Sequence, residues 1–408
     1  MRYLPRHGEK TIRELSQQFG AILVTGMRQV GKSTLLEHAT DSIEALSFDD
    51  AATFQAAAAT PELFFSYNPP PLFLDEIQKA PDLFTEMKMI IDRTKEKGLF
   101  FLSGSQQFSM MEQVSDSLAG RIGILNLCGL SQREMHGMNF YRPFLPTRDY
   151  YSAHKDARLA PHNPREVWRA IHRGSFPELA LDETRSWSQF YGAYVRAYIE
   201  RDVRQITQIA DEYAFQTFMG LLAARLGQAL DLAKLAQLVG ISSPTAKRWL
   251  SVLLTSNVVY LLQPYQANLS KRIVKSPKLY FTDTGLAAYL SKWTSAEALQ
   301  SGAMAGAYFE NYVIIEVLKS YYNSGILHPP LYYYRDKDQK EIDLIIDQDG
   351  MLHPLEIKMT GAPSSDDIKS FDRIDTPHRQ RGAGGVLCLA KTLQPLSMSD
   401  SIIPVSYL

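Results

Sequence analysis

Cysteine is nearly missing from this chain: two of 408 residues, Cys128 and Cys388, each within an apolar run and neither in CxxC spacing. That count excludes a disulfide framework and a cysteine zinc site, and the two thiols are expected to be core residues in a reducing compartment. Long apolar runs are missing too. The opening MRYLPRHGEKTIREL has no apolar h-region, and no later stretch is apolar for the length a bilayer requires; a cytoplasmic protein with no membrane partner is expected. Net charge is almost absent, at -1, so there is no bulk attraction to nucleic acid. Acidic residues are locally absent: none lies between Asp231 and Asp283, while Lys234, Lys247, Arg248, Lys271, Arg272, Lys275 and Lys278 all do. That window is a local basic module.

What is present is ordinary globular material, 45% hydrophobic and 21% charged, long enough for two or three domains. AILVTG (Ala21 to Gly26) is a short run of strand formers leading into GMRQVGKST, a match to GxxxxGK[ST], with helix-like TLLEHAT behind it. Strand, loop and helix are the context that a phosphate-binding loop requires. Gly26 and Gly31 let backbone N–H groups close around phosphate oxygens, with Gln29, Val30 and Thr34 completing the cradle. Lys32 is placed to reach the β and γ phosphates of ATP, and the Ser33 hydroxyl to ligate Mg²⁺.

Downstream, PPPLFLDEIQKAP reads as an apolar strand ending in Asp75 and Glu76. One carboxylate can hold the metal's water shell and the other polarise the attacking water, which favours hydrolysis. The alternative is a capped helix start before Pro81. LFFLSGS supplies Ser103 and Ser105 beside the γ phosphate of a parallel sheet, and SLAGRIGIL supplies Arg121, either as a γ-phosphate contact, in its own or a neighbouring subunit, or as a solvated surface pair. Taken in order, YLPR, GMRQVGKST, FLDEIQKAPDLF, FLSGSQQF, SLAGR, GSFPE and YIERDV resemble a prokaryotic AAA-type family of the AAA+ superfamily, ATP-binding proteins with a C-terminal domain of unknown function (class 4143). The resemblance covers nearly the whole chain. It implies an α/β fold with a P-loop NTPase parallel sheet and a helical lid, with ATP and Mg²⁺ as cofactors. Two departures, Met27 where the family usually has proline and Ser175 where it has a second glycine, touch no phosphate-binding side chain.

The middle of the chain reads as helices, with Tyr194, Tyr198 and Ile199 spaced for a buried stripe. Glu200 and Arg204 are spaced to pair on a helix surface, and Arg201 is open to facing the nucleotide. DLAKLAQLVGISSPTAKRWLSVLLTSN then has helix-turn-helix grammar, turning at Gly240, with Ser243 as N-cap and Pro244 at the first helical position. An alternating hairpin carrying Lys271, Arg272 and Lys275 follows as a wing. In a DNA reader the second helix presents Thr245, Lys247 and Arg248 to the major groove. A protein contact or a merely solvated surface is the other reading. From His136 to Asn163 the chain is irregular and is expected to be a connecting loop; His162 and His172 have no partner at ligand spacing.

GAYFENYVIIEVLKSYY reads as an amphipathic helix with Phe309, Val313 and Val317 inward and Glu310 near its start. EIDLIIDQDGMLHPLEIK reads as a hairpin with Asp343 on its first strand and Glu356 and Lys358 sharing a face of its second. This set resembles the restriction-endonuclease-like PD-(D/E)xK fold, in which the matching Glu310, Asp343 and Glu356 bind Mg²⁺ and Lys358 steadies the attacking water. A plain hairpin with a wet, acidic turn remains open, and the fold alone does not give activity. The expected layout is an ATPase core over 1–135, a helical lid and connector over 136–225, a winged helix-turn-helix over 226–290 and a nuclease-like domain over 291–408. ATP and DNA are the expected partners, with a homo-oligomer open; the alternative is a non-cleaving, ATP-dependent switch or scaffold that binds a protein.

Overall fold

Five short apolar runs pair side by side, all parallel, in the order β2-β3-β4-β1-β5: β1 (Ala21–Gly26), β2 (Glu44–Ser47), β3 (Leu72–Asp75), β4 (Phe100–Ser103) and β5 (Ile122–Leu127). The computed structural model describes residues 3–40, 43–104, 117–155, 163–198, 212–265, 276–374 and 380–408. The chain divides into two units, one of Met1–Leu130 with Thr255–Asn257 and Tyr321–Leu327, the other of Ser131–Leu254, Val258–Ser320 and His328–Leu408.

In the first unit β1 is buried on both faces, as a central parallel strand must be. Helices Gly8–Ser16 and Lys32–Ala39 lie against the sheet, while Leu83, Phe84, Met87, Ile90 and Ile91 of helix Leu83–Thr94 enter its core. Because every strand runs the same way, Gly26, Ser47, Asp75, Ser103 and Leu127 all emerge at one edge. That carboxyl edge is where an open α/β sheet gathers its ligand groups.

The second unit holds a mixed sheet: β6 (Val259–Pro264), β7 (Lys278–Phe281), β8 (Leu331–Arg335), β9 (Glu341–Gln348), β10 (Met351–Lys358), β11 (Gln380–Arg381), β12 (Gly384–Cys388), β13 (Gln394–Pro395) and β14 (Asp400–Pro404). Its order is β13-β14-β12-β10-β9-β8-β6-β7, with β11 beside β10. The β9–β10 hairpin turns at Asp349 and Gly350, both at positive φ, as a tight hairpin demands. The expected domain break near residue 290 is not a break in the sheet, because β6 pairs with β8 through Gln263↔Tyr332 and Pro264↔Tyr333.

Helices Leu232–Val239 and Ser243–Thr255 follow one another, with Gly240 left-handed at the end of the first. Ser242 rather than Ser243 caps the second helix, accepting from Thr245 N at 3.2 Å. Trp249 packs edge-on against Phe215 and Phe218, while Lys247 and Arg248 are exposed. The wing residues Lys271, Arg272 and Lys275, and Ile199, Glu200, Arg201, Arg204 and His162, lie outside the described residues. Helix Ala305–Tyr322 is buried nearly all round, not on one stripe as its sequence suggests. Its charged Glu316 and Lys319 pair with each other at 2.8 Å inside the core, and Glu316 also accepts from Gln132 N.

The supposed connector from His136 contains helix Arg148–Lys155 and buries Phe140, Phe144, Tyr150, Tyr151 and His154. Tyr150 and His154, four residues apart, share a helix face, and that is what makes the segment core rather than loop. The His154 ring stacks on Tyr407 and Tyr150, and among the described residues neither ring nitrogen finds a hydrogen-bond partner. Burial, and then the nearby Arg133 charge, push its pKa down to about 3. The unfolded chain therefore takes up a proton near pH 6.5 that the folded chain refuses, and stability falls as pH drops from about 6.5 towards 3. Thermal melts at pH 7.5 and 5.0 read this by difference: acidification should cost His154→Phe less stability than it costs the parent chain, and equal changes in the two proteins would contradict it.

Candidate active site

The phosphate loop begins where β1 ends. Gly26 sits at φ 146, and a Cβ there would lie 2.1 Å from the Leu127 carbonyl oxygen; only glycine fits. Gln29 and Gly31 are also left-handed, at φ 62 and φ 90, so the chain curls back on itself before helix Lys32–Ala39 starts. Gly31 offers that helix no side-chain cap, and a helix starting directly behind a glycine-bearing curl is the arrangement that receives a phosphate. The Lys32 ammonium is buried in this curl, donating to the carbonyls of Met27 at 2.8 Å and Gly26 at 3.2 Å.

Across the sheet edge, Asp75 Oδ1 accepts from Ser33 Oγ at 2.7 Å and also from Ser103 Oγ. Two strands and the helix behind the loop thus meet at one carboxylate. Glu76 stands next to it in a left-handed backbone conformation at φ 55, and Gln78 Nε2 donates to its carboxylate. A hydroxyl and a carboxylate side by side are hard oxygen donors of the kind that suit Mg²⁺. Ser33 and Asp75 therefore fit that ion. Ser105 lies outside the described residues.

Arg121 is placed otherwise than expected. It precedes β5, whose first residue pairs with Ala21, so it stands at the amino edge of the sheet, about 16 Å from the loop at about 3.3 Å per residue. There it holds Asp92 through two contacts, at 2.6 and 3.0 Å. It cannot reach a phosphate bound in its own loop. A residue with no assigned role in the sequence reading takes the structural part instead. The Arg6 guanidinium, buried, donates to the carbonyls of Val30 at 2.9 Å, Cys128 at 2.9 Å and Gly129 at 3.4 Å, tying the phosphate loop to the end of β5. The only sequence signal was its place in YLPR.

In the second unit Glu310, Asp343, Glu356 and Lys358 do come near one another, but not as a metal-binding set. Among the described residues no three His, Cys, Asp or Glu side chains are grouped to hold a metal ion. Glu356 pairs with Lys358 at 2.7 Å, Asp343 accepts from Ile357 N at 2.9 Å, and Glu310 accepts from Tyr280 at 2.6 Å and Lys278 at 3.1 Å. Burial, and then the Asp343 charge, push Glu310 up to about 7 and Glu356 up to about 8. Lys278, counted above with the basic module, is 3% exposed and pairs with Glu310 and Glu341. Period-two alternation along KLYF carries the signal, since it puts Lys278 on the face of Tyr280.

Residues 18–136 match the family model described as "AAA domain", residues 164–297 "Domain of unknown function (DUF8612)" and residues 305–408 "Domain of unknown function (DUF4143)". Residues 18–136 are thus similar to an AAA domain. Uncharacterized proteins of Mycobacterium bovis and Mycobacterium tuberculosis are each 29% identical to it over 361 residues, 88% of this chain and 75% of theirs. Among solved structures it is similar to a Walker-type ATPase of Pyrococcus abyssi, with 12% identity and a TM-score of 0.44 over 71% of this chain and 98% of that one. It is also similar to AMPPCP-bound DnaA of Aquifex aeolicus, with 12% identity and a TM-score of 0.27 over 60% and 85%. Among the described residues no helix is long and apolar enough to cross a membrane.

The Arg6 clamp makes a prediction for this domain. Arg6→Ala should weaken ATP binding about tenfold, the loss of roughly one net hydrogen bond's worth of loop order. Arg6→Lys should not restore it, because an ammonium lacks the planar fork. Titration with a fluorescent ATP analogue reads both; unchanged affinity in both would mean that the loop keeps its shape unaided.

Proposed function

We propose that the chain is a Mg²⁺-dependent ATPase whose nucleotide state sets how its second unit engages DNA. The observation that carries the ATPase reading is the Ser33–Asp75 hydrogen bond at the mouth of a fully curled phosphate loop. Lys32 and the loop N–H groups bind the β and γ phosphates, assisted by Gly26, Gln29, Val30, Gly31 and Thr34. Ser33 and Asp75 would hold Mg²⁺, which would supply neutralisation of charge on the phosphate oxygens. Glu76 orients the attacking water and accepts its proton, while Gln78 fixes the direction of that carboxylate. Ser103 keeps Asp75 in place. Glu76→Gln should lower turnover about 10²-fold or more while sparing ATP affinity, as phosphate release beside nucleotide binding would read out. Equal loss of both would give Glu76 a structural part instead.

For DNA, the supporting observation is the exposed Lys247 and Arg248 on the second helix of the helix-turn-helix, with Lys234 exposed on the first. We read β6 and β7 as the base of a wing, and the β9–β10 hairpin with its parallel neighbours β12 and β14 as a restriction-endonuclease-like domain that shares the contact. Anisotropy of a labelled duplex should give affinities that differ between apo, ADP and non-hydrolysable ATP forms, fall with salt, and drop about tenfold in Lys247→Ala/Arg248→Ala. Equal affinity in all three states would remove the coupling. No salt-dependent binding at all would favour a protein partner for the helix-turn-helix.

A further inference from the structure

The acidic cluster of the second unit is already occupied by a cation of the chain's own. Lys278 is on β7, in register with Leu262 of β6, and its side chain is 4% exposed. Its ammonium lies 3.1 Å from Glu310 Oε1, on helix Ala305–Tyr322, and in direct contact with Glu341 Oε1, on β9. Tyr280, two residues along the same strand, donates to Glu310 at 2.6 Å, and the ring of Tyr333 on β8 lies 5.5 Å from the ammonium. Burial alone would discharge this lysine, yet attraction from Glu310, Asp343 and Glu341 together outweighs it and raises its pKa. Four elements thus converge on one positive charge.

A divalent ion needs several oxygens converging on one point at about 2.0–2.6 Å, and it is repelled by a fixed ammonium beside them. Here one oxygen of Glu310 takes both the Lys278 and the Tyr280 hydrogen bonds, Glu356 gives Oε1 to Lys358 while its buried Oε2 has no partner among the described residues, and no three carboxylates are grouped to hold an ion. The residues present do not fit a metal site. We propose that Lys278 is the resident cation of this cluster, a tethered ammonium among its carboxylates, so that the C-terminal domain binds neither Mg²⁺ nor Mn²⁺. The same contacts anchor the β6–β7 hairpin to helix Ala305–Tyr322 and to β9. The inference does not depend on whether the chain binds DNA or hydrolyses ATP.

Mn²⁺ titration of the full chain without nucleotide, followed by the loss of the free-ion electron paramagnetic resonance signal, tests this. Every protein carries Asp75→Asn to silence the ATP site, and only Mn²⁺ released by a further Asp343→Asn counts. With Lys278 present, no such site is expected at millimolar Mn²⁺. Lys278→Met is expected to gain one, with a Mn²⁺-dependent rise in melting temperature, and to lose both when Asp343→Asn is added. An Asp343-dependent site in the chain that retains Lys278 would overturn the proposal, as would a folded Lys278→Met variant that gains none. Should Lys278→Met fail to fold, the chain that retains Lys278, compared with and without Asp343→Asn, decides alone.

Discussion

A lysine ammonium taken out of water has to be surrounded by oxygen acceptors, and each unit of this chain is organised around that requirement. In the first unit the acceptors of Lys32 are backbone carbonyls of its own loop, Gly26 and Met27. In the second they are carboxylates from distant parts of the sequence, Glu310 and Glu341, for Lys278. The two solutions have different consequences. Carbonyls carry only partial charge, so Lys32 keeps its attraction for an arriving phosphate, whereas full carboxylates neutralise Lys278 and turn it into part of the frame.

The buried pairs of the second unit also bear on its stability. Glu316 and Lys319 sit on one buried helix at 2.8 Å, with Glu316 also accepting from Gln132 N. Such a pair is weak evidence of net stabilisation, but removing one member strands the other at a cost of about 3–5 kcal/mol. Charge inside the core therefore specifies which elements meet. The β6–β7 hairpin follows helix Ser243–Thr255 in sequence, yet it belongs to the C-terminal sheet because Lys278 and the Gln263↔Tyr332 pairing hold it there.

The parts of this fold that were legible in the sequence are those fixed by local chemistry. Ala21–Gly26, the glycines of the loop and the strand ending at Asp75 follow from residue type and short spacing alone, and the end of helix Leu232–Val239 follows from its left-handed Gly240. Long-range placement was not legible. Arg121 follows a glycine and borders an apolar run much as Arg6 borders its own helix, and only the parallel register sends one to the far edge and the other under the loop. Lys278 looks like a wing residue among basic neighbours until Glu310 and Glu341 arrive from 32 and 63 positions downstream. Helix Ala305–Tyr322 has charges that suggest a solvent face, but Glu316 and Lys319 satisfy each other, Glu310 meets Lys278, and the helix is enclosed.

Asp75 is the carboxylate at which Ser33 and Ser103 meet beside the curled loop, and the proposed ATP site turns on it. Steady-state phosphate release from Mg²⁺·ATP by the full chain, compared with Asp75→Asn, is the measurement that tests it. Hydrolysis by the parent chain, reduced about 10²-fold or more in Asp75→Asn with the fold intact by circular dichroism, is the predicted result. Equal hydrolysis by both proteins would contradict the assignment of this edge of the sheet as the site of ATP turnover.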